Sequence, residues 1–360
     1  MQTNHDAPNY ELCLVCYPFH PTKDSGRGVD RYCYELLENR VGERLNLKVL
    51  EQGTSTGTWA SGKKLATLLG GLASVKSDVY HAVSPPAGAA AILAGKQNVV
   101  VTIHDLLPFQ VKSYSPSFKL AYARWCTQIC VARAAALIVP FRVTRDELVA
   151  AHGAQASKLH LVNYGVDHAT YYPRPHVPRN PNRVLYVGEV SHAKGLDVLL
   201  TAFARLKQKL PAAQLLIGGK GKDRQLLEQQ ARALGLADVE FRGFVPEEEL
   251  AELYASAAVM VFPSRYGFGL SSLEAMACGT PAIVTATLDA PEFIEGAGLL
   301  VEPENAADLA HNIERVLAEP AYAAELSQKG IERAARYAWA TTAAQTREVC
   351  DAVAHASGRA

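Results

Sequence analysis

Two glycines and a glutamate stand between two apolar runs in the stretch PSRYGFGLSSLEAMACGTPAIV, residues 263 to 284. The apolar runs predict buried strands, and the pair Gly267 and Gly269 predicts a tight turn into a helix that begins near Ser271. Free N–H groups at such a helix start bind anionic oxygens. Glu274, placed in about the first turn, can accept two hydrogen bonds from a vicinal diol such as a ribose, or it can merely complement the helix dipole.

A lysine occupies a comparable position earlier in the chain. Lys194 comes after the predicted strand Val184–Val187 and Gly188, just before a helix predicted from about Gly195. Its ammonium would add to the positive end of that helix and neutralise a phosphate, unless it is an ordinary solvated lysine. The loop IGGKGKDRQLL repeats the arrangement, with three glycines beside Lys220 and two further basic residues.

Two loops of the first half carry weaker signals. His104 and Asp105 follow a predicted strand, so His104 can offer a hydrogen bond or its backbone carbonyl to a substrate, or it can be structural. Gly26 and Gly28 precede a helix predicted from about Val29. That helix start suits a phosphate or a sugar hydroxyl, but a plain strand-to-helix turn has the same pattern.

Short apolar runs alternate with amphipathic helical patterns along the whole chain, which predicts parallel sheets with helices on both faces. The predicted strands are Leu12–Tyr17, Leu47–Leu50, Val79–Val83, Val99–Ile103, Ala136–Val139, Val184–Val187, Leu215–Ile217, Val239–Phe241, Val259–Phe262 and Ala282–Val284. Residues 163–183 interrupt the rhythm with four prolines and are interpreted as an interdomain linker. The fold class is therefore α/β, with two Rossmann-like doubly wound domains facing a cleft at the carboxyl ends of their strands.

Composition narrows the class of protein. At 360 residues the chain exceeds the usual size of one hydrophobic core, so two domains are expected. Its 36 basic and 36 acidic residues cancel, which argues against nucleic acid as a partner. The polar N-terminus and the absence of a bilayer-length apolar run indicate a cytoplasmic protein, with peripheral contact at the inner membrane face left open. The seven cysteines are expected to be buried thiols, not disulfides or a redox motif.

Six segments, taken in order, resemble the retaining GT-B glycosyltransferases of family four, which include glycogen synthase and bacterial mannosyltransferases. They are VTIHDLLPF, VNYGVDHATYYP, LYVGEVSHAKGLDVLLTAFARL, GFVPEEELAELYASAAVMVFPS, GFGLSSLEAMACGTPAI and GLLVEPENAADLAHNI. The resemblance implies transfer of a sugar from a UDP- or GDP-linked donor to a hydroxyl acceptor, a glycan or a lipid-linked sugar, with retention of configuration. It implies no metal and no other cofactor, in keeping with a sequence that has no DxD at a predicted strand end.

The resemblance also implies the domain boundaries. Residues 1–165 form an acceptor-side domain, 166–182 the linker, and 183–338 a nucleotide-sugar domain. The alanine-rich stretch 320–356 is predicted to form two helices, and residues 339–360 are expected to cross back to the first domain. The oligomeric state is left open.

Residue roles follow from the same resemblance. Lys194 would hold the donor pyrophosphate, Glu274 the donor ribose, and His104 would lie against the transferred sugar, so these three are the catalytic candidates. The other donor-binding candidates are Gly28, Gly188, Val245, Tyr266, Gly267, Phe268, Gly269, Leu270 and Ser271. Arg27 and Asp105 are candidates on the acceptor side, and no residue is assigned to a metal.

Two positions depart from the family's pattern. Tyr266 stands where the family places a glutamate that binds hydroxyls of the donor sugar, and Glu189 stands where it places an arginine that binds the pyrophosphate. Arg265, Lys220 and Arg27 are the candidate substitutes for that arginine. If none of them substitutes, the chain is a catalytically silent partner of another glycosyltransferase. A nucleotide-sugar epimerase of the same fold is the second alternative to an active transferase.

Overall fold

The computed structural model describes residues 10–16, 28–39, 41, 46–50, 62–110, 117–267, 269–287 and 290–358. The chain forms two compact units, a first unit of Met1–Gly165 with Trp339–Ala360 and a second unit of Val166–Ala338. Each unit contains a six-stranded sheet whose neighbouring strands are all parallel. The predicted α/β fold class with two parallel sheets is confirmed, while a cleft shared by the two units stays a prediction.

The first sheet has the strand order β2-β1-β3-β4-β5-β6. Its strands are β1 (Glu11–Val15), β2 (Asn46–Leu50), β3 (Val79–Ala82), β4 (Val99–Thr102), β5 (Ala136–Val139) and β6 (Leu159–Leu161). The helices between them are α1 (Gly28–Glu38), α2 (Gly62–Ser74), α3 (Pro85–Leu93), α4 (Leu107–Gln110), α5 (Ser117–Arg133) and α6 (Arg142–His152). Strands β3, β4 and β5 are buried along their whole length, which explains their mainly apolar sequences.

The second sheet has the strand order β12-β11-β10-β7-β8-β9. Its strands are β7 (Asn180–Val187), β8 (Gln214–Gly218), β9 (Val239–Gly243), β10 (Ala257–Phe262), β11 (Ala282–Thr285) and β12 (Leu299–Val301). The helices are α7 (Leu196–Lys209), α8 (Arg224–Ala233), α9 (Glu247–Ala255), α10 (Leu270–Ala277), α11 (Ala290–Ile294), α12 (Ala306–Ala318) and α13 (Pro320–Ala334). The order reverses between β7 and β10, and in open α/β sheets ligands bind at that point, beyond the carboxyl ends of the strands.

The last helix, α14 (Trp339–Ala356), belongs to the first unit. Its buried residues Val349, Cys350 and Ala354 join one core cluster with residues of the first sheet, among them Val79 and Val100. The two helices predicted for the alanine-rich stretch 320–356 are therefore confirmed as α13 and α14.

The proline-rich segment interpreted as a linker is packed onto the second unit. Val166 forms a bridge with Ala338, and Tyr171 is completely buried against the ring of Tyr254 at a centroid distance of 5.9 Å. Strand β7 already begins at Asn180, inside the predicted linker. The segment has no hydrophobic periodicity and is held mainly by one aromatic side chain. Its sequence pattern is therefore the same as that of a connection between domains.

All ten predicted strands are present, with ends shifted by four residues at most. The prediction lacked β6 and β12, which lie at the outer edges of their sheets and have three residues each. All seven cysteines are buried and free, as expected. Within the described ranges no helix is long and apolar enough to cross a membrane.

Candidate functional site

The loop after β7 brings Lys194 to the carboxyl edge of the second sheet, where the strand order reverses. Gly195 caps the start of α7 with a φ of 67°, and a Cβ at this position would lie 1.9 Å from the carbonyl oxygen of Pro263. Only glycine therefore lets the loops after β7 and β10 approach so closely. Across this contact the Nζ of Lys194 donates a hydrogen bond to the carbonyl oxygen of Tyr266 at 3.3 Å.

The glycine turn of the loop after β10 is confirmed. Gly267 and Gly269 have φ values of 84° and 78°, and Gly269 caps α10, which begins at Leu270, one residue before the predicted start. A Cβ at Gly267 would lie 3.6 Å from the Nζ of Lys194, so this turn runs beside the ammonium. Ser271 is the second residue of α10, and Phe268 lies outside the described residues.

Glu274 lies in the second turn of α10, one residue further into the helix than the sequence predicted. Its side chain is buried, and its Oε2 accepts a hydrogen bond of 3.0 Å from the hydroxyl of Tyr254. The field of a helix end acts mainly within the first turn. The position of Glu274 therefore argues against a carboxylate that only complements the dipole.

Tyr266 is held by its backbone beside Lys194. Its N–H donates to the Oγ of Ser264 at 3.2 Å, and its carbonyl oxygen accepts hydrogen bonds from both Lys194 and the Ser264 hydroxyl. Ser264 is itself buried. These bonds fix the chain at position 266, while a contact of the tyrosine ring with a sugar stays a prediction.

Three neighbouring loops complete this edge of the second sheet. Gly188 donates its N–H to the carbonyl oxygen of Gly218 at 3.0 Å, and a Cβ at Gly218 would lie 2.9 Å from the Cγ2 of Val245. Val245 is buried, whereas its neighbour Phe244 is exposed with the Nζ of Lys220 4.9 Å from its ring centroid. The donor-binding candidate Val245 thus follows β9 and lies next to the loop after β8.

Glu189 and the proposed substitute cations have distinct environments. The Glu189 side chain is exposed. Arg265 makes a bidentate ion pair with Asp197, at 2.8 and 2.9 Å, and a second ion pair with Glu304 at 2.6 Å. These hydrogen bonds raise the pKa of the Arg265 guanidinium, and two carboxylates compensate its charge.

Arg265 therefore fits the role of a structural cation better than that of a substitute for the missing arginine. In the described part of the chain no carboxylate pairs with Lys220, which leaves its charge available at the same edge. Arg27, the third candidate, lies outside the described residues.

In the first unit, both ring nitrogens of His104 are hydrogen-bonded within the protein. The Nε2 donates to the carbonyl oxygen of Val83 at 2.8 Å, so in the neutral ring the Nδ1 accepts from the hydroxyl of Tyr164 at 2.5 Å. Burial lowers the pKa of His104 to about 4. Of the two groups of His104 that the sequence offered to a substrate, the ring is engaged within the protein and the backbone carbonyl remains.

The sequence analysis missed the polar and aromatic cluster around His104. His81 is completely buried and shares a hydrogen bond of 2.9 Å with the Oγ1 of Thr102, which also contacts the hydroxyl of Tyr32 at 3.2 Å. The ring of Tyr32 lies edge-on to that of His104, with 5.0 Å between centroids, and Trp339 of α14 packs against both tyrosines of the cluster. The sequence did contain a signal for this cluster, because His81 is a polar residue inside the otherwise apolar predicted strand Val79–Val83.

The remaining candidates of the first unit have local roles. Asp105 accepts a hydrogen bond of 3.0 Å from the N–H of Leu107, the first residue of α4. Gly28 is the exposed first residue of α1, with open space where a Cβ would lie. Their roles toward a ligand stay predictions.

The neutral, buried His81 predicts a loss of stability in mild acid. Burial lowers its pKa from 6.5 to about 3, so between these values the unfolded chain binds the proton and the folded chain does not. Its contribution is complete above pH 6.5 and is lost as the pH falls, by about 2 kcal/mol at pH 5.

Urea unfolding of the wild type and of His81→Asn at pH 7.5 and pH 5.0 measures this contribution. We expect His81→Asn to lose less unfolding free energy between the two pH values than the wild type does. His355→Asn, at an exposed histidine of α14, serves as the control and should retain the wild-type difference. Equal pH dependence in all three proteins would contradict the prediction.

Two family models match the chain, one over each unit. The model described as glycosyl transferases group 1 matches residues 171–333, and the glycosyl transferase 4-like domain matches residues 7–165. O-antigen chain mannosyltransferase B of Escherichia coli is 25% identical over 264 residues, 69% of this chain and 69% of that protein. The D-inositol 3-phosphate glycosyltransferase of Nocardiopsis dassonvillei is 33% identical over 225 residues, which are 55% of this chain and 51% of that protein.

The chain thus spans about half the length of that second relative. Among solved structures, the sucrose-phosphate synthase of Thermosynechococcus elongatus is similar with a TM-score of 0.84 and 25% sequence identity. The match covers 97% of this chain and 100% of that one. The likeness therefore extends over both units.

Proposed function

The chain belongs to the group 1 glycosyltransferases of the GT-B fold, and from this premise we propose that it moves a sugar from a nucleoside-diphosphate donor to a hydroxyl acceptor. The donor is UDP- or GDP-linked, and the configuration at the anomeric carbon is retained. The observation that carries the proposal is the edge of the second sheet, where Lys194 lies beside the turn into α10, the helix that carries the buried carboxylate of Glu274.

Lys194 and the helix starts neutralise the leaving diphosphate in this proposal. The ammonium lies at the turn that leads into α10 and at the start of α7, so it adds to the positive ends of two helices. Negative charge develops on the diphosphate as the bond to the sugar breaks, and donors already in place stabilise it without reorganisation. Because these groups supply positive charge, we include independence of a metal ion in the proposal.

The leaving phosphate itself takes the proton of the acceptor hydroxyl on the same face of the sugar, so no strong protein base is needed. The environment of His104 supports this part of the proposal. Both nitrogens of its neutral ring are hydrogen-bonded to Val83 and Tyr164, so the ring is not free to act as a base. Its backbone carbonyl is the group we assign to a hydroxyl of the transferred sugar. The acceptor is a glycan or a lipid-linked sugar bound by the first unit.

A catalytically silent partner of another glycosyltransferase is the second candidate. Glu189 favours it, because a carboxylate stands where the family places a cation and Arg265 is already compensated by two carboxylates. Missing one charged donor to a leaving group can cost ~10²–10³ in rate. Lys220 is the described residue that could restore this charge.

Release of nucleotide from a panel of UDP- and GDP-sugars tests the proposal. An active transferase releases free UDP or GDP from at least one donor, and release speeds up when the correct acceptor is added. A changed sugar that is still attached to its nucleotide would identify an epimerase. Absence of both release and binding, judged by thermal shift, would favour the silent partner, because a ligand at a hundredfold excess over Kd adds about 2.7 kcal/mol of stability.

Tyr266 is predicted to influence which donor sugar is preferred. A phenol gives or accepts one hydrogen bond where a carboxylate would hold two hydroxyls with charged bonds, so we expect relaxed selectivity or preference for a deoxy or N-acetylated sugar. Tyr266→Glu and Tyr266→Phe should change the ranking of donor sugars in at least one variant. Tyr172→Phe, at an exposed tyrosine of the same unit, should keep the parental ranking. Unchanged ranking and rate in both Tyr266 variants would show that the ring does not touch the sugar.

A further inference from the structure

Tyr254 is a buried tyrosine that the proposed mechanism does not yet use. It lies in the last turn of α9, is completely inaccessible to solvent and donates its hydroxyl hydrogen to the Oε2 of Glu274 at 3.0 Å. Burial and the nearby carboxylate raise the pKa of its phenol well above the usual value. The phenol therefore keeps its proton and acts as a permanent donor to the carboxylate.

Tyr254 is itself held in place by contacts of its ring and of its backbone. Its ring packs against that of Tyr171, with 5.9 Å between centroids. Its backbone carbonyl accepts a hydrogen bond of 2.6 Å from the hydroxyl of Thr280, a buried residue whose N–H is bonded to the carbonyl of Ala275 in α10. These contacts tie the end of α9 to α10, so the hydroxyl of Tyr254 and the carboxylate of Glu274 cannot move apart independently.

We propose that Tyr254 is a positioning residue, whose hydroxyl fixes the carboxylate of Glu274 in the orientation that accepts the hydroxyls of the donor ribose. The inference rests on the proposed function, because it takes Glu274 as the ribose ligand. A glutamate side chain has several rotatable bonds, and holding it in its binding rotamer before the ligand arrives removes an entropic cost of binding. The effect of Tyr254 is therefore specific for ligands that carry the ribose hydroxyls.

Discrimination between ribose and deoxyribose measures this effect. The affinities of UDP, GDP and their 2′-deoxy and 3′-deoxy forms are compared by calorimetry for the wild type and Tyr254→Phe. We expect the wild type to bind the ribose form at least tenfold more tightly than one of the deoxy forms, and this ratio to fall at least threefold in Tyr254→Phe. The affinity of inorganic pyrophosphate, which has no diol, should stay within twofold. An unchanged ratio overturns the proposal.

Tyr171→Phe is the matched control. It removes a hydroxyl from the same buried aromatic pair, but that hydroxyl lies 3.4 Å from the Oε1 of Glu247. We expect Tyr171→Phe to retain the wild-type ratio of affinities. An equal fall of the ratio in both variants would assign the effect to packing of the aromatic pair and would overturn the positioning role.

If Tyr254→Phe alone does not fold, the effect of this substitution is measured in a Glu274→Gln background instead. The affinities of the Glu274→Gln protein are then compared with those of the double variant. Without the charge of the carboxylate, loss of the phenol hydroxyl should not change the ribose discrimination further. A further change of discrimination in that background means that Tyr254 acts by another route and contradicts the inference. If the wild type binds neither UDP nor GDP, the proposed function is overturned. If the wild type discriminates between ribose and deoxyribose and Tyr254→Phe has the same ratio of affinities, only this inference is overturned.

Discussion

Lys194→Ala is expected to abolish sugar transfer, with kcat at least a hundredfold lower, while the fold remains intact. The ammonium lies at the turn into α10 and at the start of α7, where the proposal places the leaving diphosphate. Loss of a positioned donor to developing negative charge costs ~10²–10³ in rate. The second family cation is replaced by Glu189 in this chain, so less charge remains to compensate for the loss of Lys194.

Lys209→Ala provides the control, because Lys209 stands at the opposite end of α7 in an ion pair with Glu314. It should keep wild-type turnover, and both variants should keep the wild-type circular dichroism spectrum and melting cooperativity. A kcat of Lys194→Ala within tenfold of the wild-type value would contradict the assignment, since a tenfold change corresponds to only ~1.4 kcal/mol of activation free energy.

Glu274→Gln is expected to raise the donor KM about 5- to 30-fold while kcat stays within about threefold. The substitution exchanges a charge-assisted hydrogen bond of ~1.5–3 kcal/mol for a neutral one of ~0.5–1.5 kcal/mol. Contacts to the ribose exist in the bound donor and in the transition state alike, so their loss weakens binding without slowing the bound complex. Initial rates over a range of donor concentrations at saturating acceptor separate the two constants.

Glu248→Gln is the matched control for the charge itself. Glu248 is an exposed carboxylate in the first turn of α9, where it complements the helix dipole. It should leave both constants unchanged. An unaltered donor KM with a collapsed kcat in Glu274→Gln would contradict the ribose assignment and place the carboxylate at the reacting bond instead.

Several features could be predicted from the sequence because their physical cause is local. The buried parallel strands β5 and β10 are uninterrupted apolar runs, since both faces of such strands are covered by helices. The turn at Gly267 and Gly269 was predictable because both residues adopt a left-handed backbone that few other residues tolerate.

Local signals failed where an element is short or is held from a distance. The edge strands β6 and β12 have three residues each, too few for an apolar run to stand out. The segment interpreted as a linker has no periodicity, yet the single buried ring of Tyr171 anchors it to the second unit. The start of α10 was misplaced by one residue, so Glu274 is the fifth residue of this helix and not the fourth.

The sequence by itself determined the two parallel-sheet units, the glycine turns and the identity of the polar residues that follow the strands. Only the tertiary structure decided which of those residues are already engaged with others. The Tyr254 hydroxyl meets Glu274 from 20 residues away, Tyr164 meets His104 from 60, and Asp197 compensates Arg265 from 68. Hydrogen bonds and ion pairs of this kind depend on which strands lie side by side, and strand order leaves no mark on the local pattern of residues.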